Sequence, residues 1–177
     1  MIPVDNIRHA LATDIPAIAR VHLETSKIAY RDILHPAMIE GLSLAGRIDL
    51  WKTRFAGIGP RGRLWVQCIG SEVLGFALCD AGGDRDPARL ACELKSFYLL
   101  PEYWGAGLGA RLLVHVVADF TGRGFNSINL WTISANARAR QFYERKGFSC
   151  DVLTRLTSRK ESGQLLEYEE IRYSRRL

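Results

Sequence analysis

Apolar residues recur at helical spacing in the first third of the chain. Over residues 15–29 they share one helical face, which predicts a helix, and Thr13 is placed to cap its N-terminus. Pro36 is placed to open a second helix. Helical spacing recurs over residues 41–55, and a short strand is predicted over residues 6–10 before the first helix. The opening pattern therefore predicts a strand followed by a group of amphipathic helices.

From residue 63 onward, apolar and polar residues alternate, which predicts β-strands. Two further helical stretches interrupt these strands, and a polar loop over residues 82–87 joins two of them. Helices interleaved with strands favour one α/β domain over residues 1–177, built on a mixed sheet. The predicted strands cover residues 63–69, 72–79, 90–100, 127–133, 148–157 and 165–174, and the two helices cover residues 108–120 and 135–146.

Composition is ordinary for a globular domain. The 177 residues are 47% apolar and 24% charged, with 24 Lys and Arg against 19 Asp and Glu, a net charge of +5. These values exclude a disordered, collagen-like or coiled-coil chain. The basic balance indicates an anionic partner, which leaves open nucleic acid, a membrane surface or a phosphorylated small molecule.

Targeting and metal-binding patterns are not visible in the sequence. The first ten residues carry Asp5 and Arg8 and do not resemble a signal peptide, and no apolar run approaches the length of a membrane span. We therefore expect a cytoplasmic chain without a membrane partner, whose four cysteines are reduced and mostly buried. Neither the cysteines nor the four histidines have metal-ligand spacing, so no metal is expected.

The stretch over residues 101–110, PEYWGAGLGA, is the first candidate for chemistry. Alternating glycines between an apolar strand and an amphipathic helix leave backbone N–H groups unpaired at the helix N-terminus, where they can hold a phosphate or pyrophosphate. The alternative is a tight turn without a ligand. The stretch is not a nucleotide P-loop, because no Gly-Lys-Ser/Thr follows, and its spacing does not match the dinucleotide-binding fingerprint.

The stretch over residues 136–148, NARARQFYERKGF, is the second candidate. It follows a predicted strand, and Ala139, Phe142, Tyr143 and Lys146 share one helical face. Taken alone, Tyr143 is most simply a core residue of an amphipathic helix.

Together the two stretches resemble the motifs of the GNAT superfamily of acyl-CoA-dependent N-acetyltransferases. The first is similar to the superfamily's (Gln/Arg)-x-x-Gly-x-(Gly/Ala) loop, with Trp104 where Gln or Arg is usual. The second is similar to its Asn-x-x-Ala-x-x-x-Tyr-x-x-x-Gly-Phe helix. The predicted order of elements also matches along essentially the whole chain. The resemblance implies a single GNAT-like domain, with a mixed, mostly antiparallel sheet flanked by helices.

The resemblance also implies a site for acetyl-CoA. The glycine loop would bind the pyrophosphate through main-chain N–H groups. The end of the preceding strand would hold the pantetheine arm, and an N–H near Leu99 would polarise the thioester carbonyl. Trp104 puts a side-chain contact to the diphosphate in doubt. The residues that the resemblance assigns to coenzyme A are Phe97, Tyr98, Leu99, Leu100, Trp104, Gly105, Ala106, Gly107, Leu108, Gly109, Ala110, Asn136 and Ala139.

Two catalytic roles follow from the same resemblance. Tyr143 matches the usual general acid, which protonates the departing thiolate. Glu93 is the best candidate for the base, since it is a carboxylate within an apolar strand, eleven residues before Trp104. The alternative for Glu93 is an edge carboxylate paired with Lys95 or Arg89.

The acceptor is the least determined part of the prediction. By resemblance, the loop with Tyr30 and Arg31 and the last hairpin with Glu167 would form its site, where a carboxylate could hold a cationic amine. The alternative for Glu167 is a solvated strand face. We predict transfer of an acetyl group to a primary amine, with a small molecule favoured slightly over a protein or peptide amine. The alternative is a non-catalytic acyl-CoA-binding or sensing module.

The charge distribution sharpens the choice of partner. From Asn136 to the end there are ten Lys and Arg against six Asp and Glu, so most of the net charge lies in the last quarter. That surplus suits the phosphates of coenzyme A. A nucleic-acid partner is not expected, because neither a lysine-rich stripe with exposed aromatics nor a helix-turn-helix is visible. A homodimer is possible by analogy with relatives.

Overall fold

The structure is a computed structural model that describes residues 5–81, 90–161 and 163–177. The predicted loop over residues 82–87 and Arg89, one suggested partner of Glu93, lie outside these ranges. The helices are α1 (Ile15–Ala29), α2 (Pro36–Glu40), α3 (Leu44–Ala56), α4 (Leu108–Gly122) and α5 (Ala137–Arg145). The strands are β1 (Asp5–His9), β2 (Arg63–Ile69), β3 (Glu72–Asp80), β4 (Ala91–Leu99), β5 (Ser127–Ile133), β6 (Ser149–Glu161) and β7 (Gln164–Arg176).

The seven strands form one sheet in the order β1-β2-β3-β4-β5-β7-β6. Neighbouring strands pair antiparallel, except for β4 and β5, which run parallel across the connection through α4. The predicted mixed, mostly antiparallel sheet is confirmed. The parallel pair lies in the middle of the sheet, where a helical crossover is required.

Helices cover the sheet on both faces. Phe76 and Leu78 of β3 pack in one cluster with Trp51 of α3 and residues of α1. Ala77, between them, packs in the other cluster with the apolar side of α4. Because side chains alternate along a strand, the two clusters lie on opposite faces of the sheet. We call them the α1/α3 face and the α4/α5 face.

The start of α1 differs from the prediction. Thr13 is not its cap: a 3-10 turn over Ala12–Asp14 comes first, and the helix begins at Ile15. The Asp14 carboxylate accepts two hydrogen bonds from the Arg8 guanidinium, at 2.7 and 2.8 Å, and one from the Leu11 N–H. Asp14 therefore organises this turn, and a pattern search that expects a Ser or Thr cap misses it.

Other element boundaries are close to those predicted. Pro36 does open α2, and the helical stretch over residues 41–55 begins at Leu44, with the Ser43 hydroxyl accepting from the Gly46 N–H at 3.1 Å. Three helices therefore lie between β1 and β2. Cys68, Cys79 and Cys92 are buried thiols, as expected. None of the described helices is both long and apolar enough to cross a membrane.

Candidate active site

The sheet opens between its two central parallel strands. Within the described residues, β4 pairs with β5 only from Ala91–Ser127 to Glu93–Asn129. Beyond Glu93, β4 continues along β3 as far as Leu99, whereas β5 continues along β7 as far as Ile133. A gap therefore separates the C-terminal halves of β4 and β5, and backbone groups of β4 face it.

The hydrogen-bond pattern identifies which groups of β4 face the gap. The Leu100 N–H donates to the Leu74 carbonyl at 2.8 Å, toward β3. In an antiparallel ladder, successive residues point their N–H and C=O groups to opposite sides. Tyr98 therefore also points toward β3, while Phe97 and Leu99 point toward the gap. Of the four strand residues assigned to the pantetheine arm, Phe97 and Leu99 offer N–H groups to the gap, and Tyr98 and Leu100 do not. The Leu99 carbonyl is already used, since it accepts from the Thr25 hydroxyl at 3.1 Å.

The glycine loop places backbone N–H groups beside the end of this gap. The first helical bond of α4 runs from the Arg111 N–H to the Gly107 carbonyl, so the N–H groups of Leu108, Gly109 and Ala110 precede the helical ladder. Gly105 and Gly107 have φ values of +81° and +83°, a backbone conformation that other residues rarely adopt. A Cβ added at either would meet no atom within 4 Å. The loop is therefore an open cradle at a helix N-terminus, which fits a diphosphate.

Trp104 supports this loop from within the protein. Its indole Nε1–H donates to the Leu99 carbonyl at 2.7 Å. The Arg138 guanidinium of α5 lies over its ring, 4.4 Å from the centroid. Trp104 thus ties the end of β4 to α5, and it brings a cation beside the loop in place of the usual Gln or Arg at this position.

Helix α5 lines the gap from the other side and is shorter than predicted. It begins at Ala137, because the Asn136 side-chain carbonyl caps it by accepting from the Ala139 N–H at 3.1 Å. This oxygen is thus used within the helix end, which gives Asn136 a structural role beside any contact with a ligand. Ala139 packs against the core cluster of the α4/α5 face.

Tyr143 is buried where α5 meets β4. Its ring contacts Phe97, at 6.4 Å between centroids, and also Phe142 and Phe148. Burial raises the pKa of the Tyr143 phenol well above its ordinary value, and the nearby Tyr98 raises it further. The phenol therefore keeps its proton at neutral pH. Phe97 and Leu99 are the two residues of β4 whose backbone groups face the gap, and Tyr143 contacts Phe97.

Glu93 lies at the point where β4 and β5 separate. It is half-buried, opposite Asp80 on β3 and Asn129 on β5. Its neighbours Cys92 and Leu94 point to the α4/α5 face, so Glu93 points to the α1/α3 face. Lys95, its other suggested partner, is instead paired with Asp80 at 3.1 Å. Lys95 forms a β-bulge in β4, because Cys79 pairs with Leu94 and Leu78 pairs with Ser96, which leaves Lys95 outside the pairing register with β3.

The structure brings one of the three predicted acceptor residues to the site. The Tyr30 hydroxyl lies 3.4 Å from that of Tyr98, and burial raises its pKa, with Tyr98 and Tyr143 adding to the shift. Arg31 is exposed in the turn after α1. Glu167 is also exposed and alternates with the half-buried Tyr168, so it points to the other side of the hairpin.

Sequence analysis did not assign three residues of the α1/α3 face to the site, namely His22, Arg47 and Tyr168. The Tyr98 ring lies against His22 in a tilted arrangement, with 4.4 Å between ring centroids. Burial raises the pKa of Tyr168, and nearby Glu170 and Tyr98 raise it further. Arg47 of α3 contributes a half-buried guanidinium to the same region, as its interactions with Tyr98 and Tyr30 indicate. The available signal in the sequence was an Arg on an amphipathic helix. The sequence pattern alone does not distinguish such an Arg from a solvated one.

Comparison with known proteins shows the family of this chain. The model of the Acetyltransferase (GNAT) family matches residues 28–148, so the chain belongs to this family. An uncharacterized N-acetyltransferase of Mycobacterium tuberculosis is 31% identical over 138 residues, covering 77% of this chain and 83% of the relative. These similarities identify the chain as an acetyltransferase of the GNAT class.

Solved structures share the fold. The PaiA N-acetyltransferase of Thermoplasma acidophilum, solved in complex with coenzyme A, has a TM-score of 0.68 at 19% identity and covers 94% of this chain and 98% of its own. A putative acetyltransferase of Salmonella typhimurium, solved with its cofactor acetyl-CoA, has a TM-score of 0.66 at 19% identity, covering 98% and 94%.

Proposed function

We propose that this chain transfers the acetyl group of acetyl-CoA to a primary amine. The observation that carries the proposal is the gap between β4 and β5, which ends at the open glycine cradle of α4. A ligand with a diphosphate at one end and a hydrogen-bonding chain along its length fits both features. Two structural neighbours of the same fold were solved with coenzyme A or acetyl-CoA.

Acetyl-CoA supplies a thioester whose carbonyl carbon the amine attacks. A C–N bond forms, the C–S bond breaks, and negative charge develops on the carbonyl oxygen and then on sulfur. The backbone N–H groups of Phe97 and Leu99 face the gap and are fixed by the β3 ladder, so they are placed to donate to that oxygen. Because Tyr143 contacts Phe97, we place the reacting carbonyl beside Phe97 and the diphosphate beyond Leu99.

Tyr143 stabilises the departing sulfur in this proposal. A thiol has an ordinary pKa of about 8.5 and a phenol of about 10, so complete proton transfer from phenol to thiolate is uphill, and burial of Tyr143 makes it more so. A short hydrogen bond from the phenol to the thiolate does not have this cost. The phenol therefore first lowers the barrier as a hydrogen-bond donor. Its proton moves to sulfur only when a second proton reaches the phenol oxygen.

Glu93 accepts, through bridging water, the proton that the amine loses, because Phe97 lies four residues further along β4. Its side chain points to the α1/α3 face, where Tyr30 and Tyr98 lie. Glu93 is the last described residue of β4 that pairs with β5, so it lies where the gap begins. The alternative is a sensor that binds acyl-CoA without turnover. No observation on the described residues favours the sensor over the enzyme. Assembly as a homodimer, and the absence of nucleic-acid and membrane partners, remain predictions.

Replacing Tyr143 by Phe tests the proposal. With acetyl-CoA and a panel of primary amines, release of free thiol is followed, and coenzyme A affinity is measured by calorimetry. We expect kcat to fall by about 10–100-fold, because a hydrogen bond to a charged group is worth about 1.5–3 kcal/mol, with coenzyme A affinity little changed.

The matched control is Tyr173→Phe. It removes a buried phenol that bonds Glu144 at 2.7 Å and Arg140 at 3.0 Å, away from the gap. This variant should lose stability and keep its kcat. Equal turnover in Tyr143→Phe and the unaltered chain would remove Tyr143 from the reaction, and coenzyme A binding without turnover of any amine would favour the sensor.

A further inference from the structure

The α1/α3 face beside the gap carries an unusual set of cations. Arg47, Trp51 and Arg54 are spaced four and three residues apart on α3, so they lie on one side of that helix. The Trp51 indole donates to His22 Nδ1 at 3.0 Å, and the His22 ring lies against that of Tyr98. This side of α3 therefore faces Tyr98, and it brings two guanidinium groups to the acceptor side of the gap.

Arg47 carries a buried guanidinium nitrogen whose hydrogen-bonding capacity is unused within the described residues. Its Nε atom is buried and has no hydrogen-bond partner within residues 5–81, 90–161 and 163–177. Burial lowers the pKa of Arg47, the nearby Tyr98 opposes this shift, and the positive charges of Arg159 and Arg54 add to it. A guanidinium stays charged under these conditions, so its burial is costly unless an anion or an acceptor meets it.

Neighbouring carboxylates are already engaged. Glu170, on the same face of the β6–β7 hairpin as Tyr168, accepts from Arg155 at 2.7 Å and from the Thr157 hydroxyl at 2.9 Å. Asp80 is paired with Lys95.

Arg159 projects from β6 on that face as well, since Arg155, Thr157 and Arg159 occupy every second position of the strand. Its charge also lowers the pKa of Arg47, so guanidinium groups of α3 and β6 lie close together on this side of the gap.

We propose that the acceptor amine carries an oxyanion, a carboxylate or a phosphonate-type group, and that Arg47 binds it with Arg159 beside it. The acceptor is a small zwitterion whose anionic end lies at α3 and whose amine reaches the gap beside Phe97. The hydroxyls of Tyr30, Tyr98 and Tyr168 lie between these two ends. This inference rests on the proposed acetyl transfer and specifies its substrate class. It replaces the expectation that a carboxylate at Glu167 holds the cationic amine of the acceptor.

Matched substrates test the inference. Amino acids and aminoalkylphosphonates are compared, at saturating acetyl-CoA, with their amides and with amines of the same skeleton that lack the anion. Short peptides with a free amino terminus and an amidated carboxyl end form a third arm. We expect kcat/KM to be at least about tenfold higher for the anionic members, since a charge-assisted contact is worth that or more.

Variants then assign the effect to Arg47. Arg47→Gln should raise KM for anionic acceptors by about tenfold or more, leave neutral amines and coenzyme A affinity unchanged, and weaken binding of the same amino acids to the coenzyme A-bound protein in calorimetry. Arg47→Lys should restore part of the loss. Lys52→Gln, which removes an exposed cation from the same helix, is the matched control and should behave as the unaltered chain.

The outcomes separate the two proposals. Turnover of neutral amines or peptides as good as that of the anionic members overturns the inference and leaves acetyl transfer standing. The same holds if Arg47→Gln and Lys52→Gln behave alike. Coenzyme A binding without turnover of any substrate overturns acetyl transfer, and the inference with it.

Discussion

Gly107 and Gly124 allow the cost of a strained backbone to be separated from the loss of a ligand site. They stand near opposite ends of α4, with φ values of +83° and +84°, and a Cβ built at either meets no atom within 4 Å. Replacing each by Ala therefore imposes the same left-handed strain with no clash inside the protein. Since that conformation disfavours a Cβ by about 1–2 kcal/mol, partly offset by the stiffer unfolded chain, each variant should lose about 1 kcal/mol.

For a chain of this length, 1 kcal/mol corresponds to a shift of about 2–4 °C in Tm, measured by calorimetry or circular dichroism. The two variants differ in affinity for coenzyme A. The Cβ at position 107 projects into the space where the diphosphate is proposed to lie, whereas position 124 is at the far end of the helix. Losing one hydrogen bond to a charged group costs about 1.5–3 kcal/mol, or roughly 10–150-fold in Kd.

Titration calorimetry with coenzyme A measures that difference directly. Equal affinity in Gly107→Ala, Gly124→Ala and the unaltered chain would refute the assignment of the glycine loop as the diphosphate site. A stability loss in only one of the two variants would refute the strain argument instead.

Two further predictions concern ionisable groups. Glu93→Gln should remove the acidic limb from the pH dependence of kcat/KM, followed by thiol release; an unaltered profile would assign the base to another group. His22, whose pKa burial lowers from 6.5 to about 2, with Arg47 and Arg54 adding to the shift, binds a proton more readily in the unfolded chain. Its contribution to stability is therefore complete above pH 6.5 and is lost as pH falls, by about 1.3 kcal/mol between about pH 7 and pH 5.5. In urea unfolding, His22→Gln should be less sensitive to pH over this range by that amount, and an equal pH dependence in both proteins would contradict it.

Elements with strong periodicity could be predicted from sequence alone. The apolar stripe of α4 reflects burial on one face, which leaves a direct record in residue order. The strands β2 and β3 are buried on both faces, so nearly continuous apolar runs, rather than the predicted alternation, mark them in the sequence. The glycines of the loop are also readable, because positive φ at positions 105 and 107 restricts the residue that can stand there.

Other features depend on contacts between distant segments. Arg8 and Asp14 determine the start of α1 through an ion pair that no local pattern records. The side of β7 that faces the site follows from its register with β6, so Glu167 and Tyr168 could not be told apart in sequence. Arg47 becomes informative only when α3 is placed against His22 and Tyr98.

The parting of β4 and β5 also has a thermodynamic consequence. It leaves an internal edge, a stretch of central strand whose N–H and C=O groups lack a neighbouring strand on one side. Proteins generally pair or cover such edges, because open ones recruit other chains. In the proposed function the pantetheine arm is that neighbour, a non-peptide strand that completes the sheet. Folding and occupancy are then linked: the folded chain gains stability in proportion to the logarithm of ligand concentration above Kd, and an empty sheet is the form most exposed to aggregation.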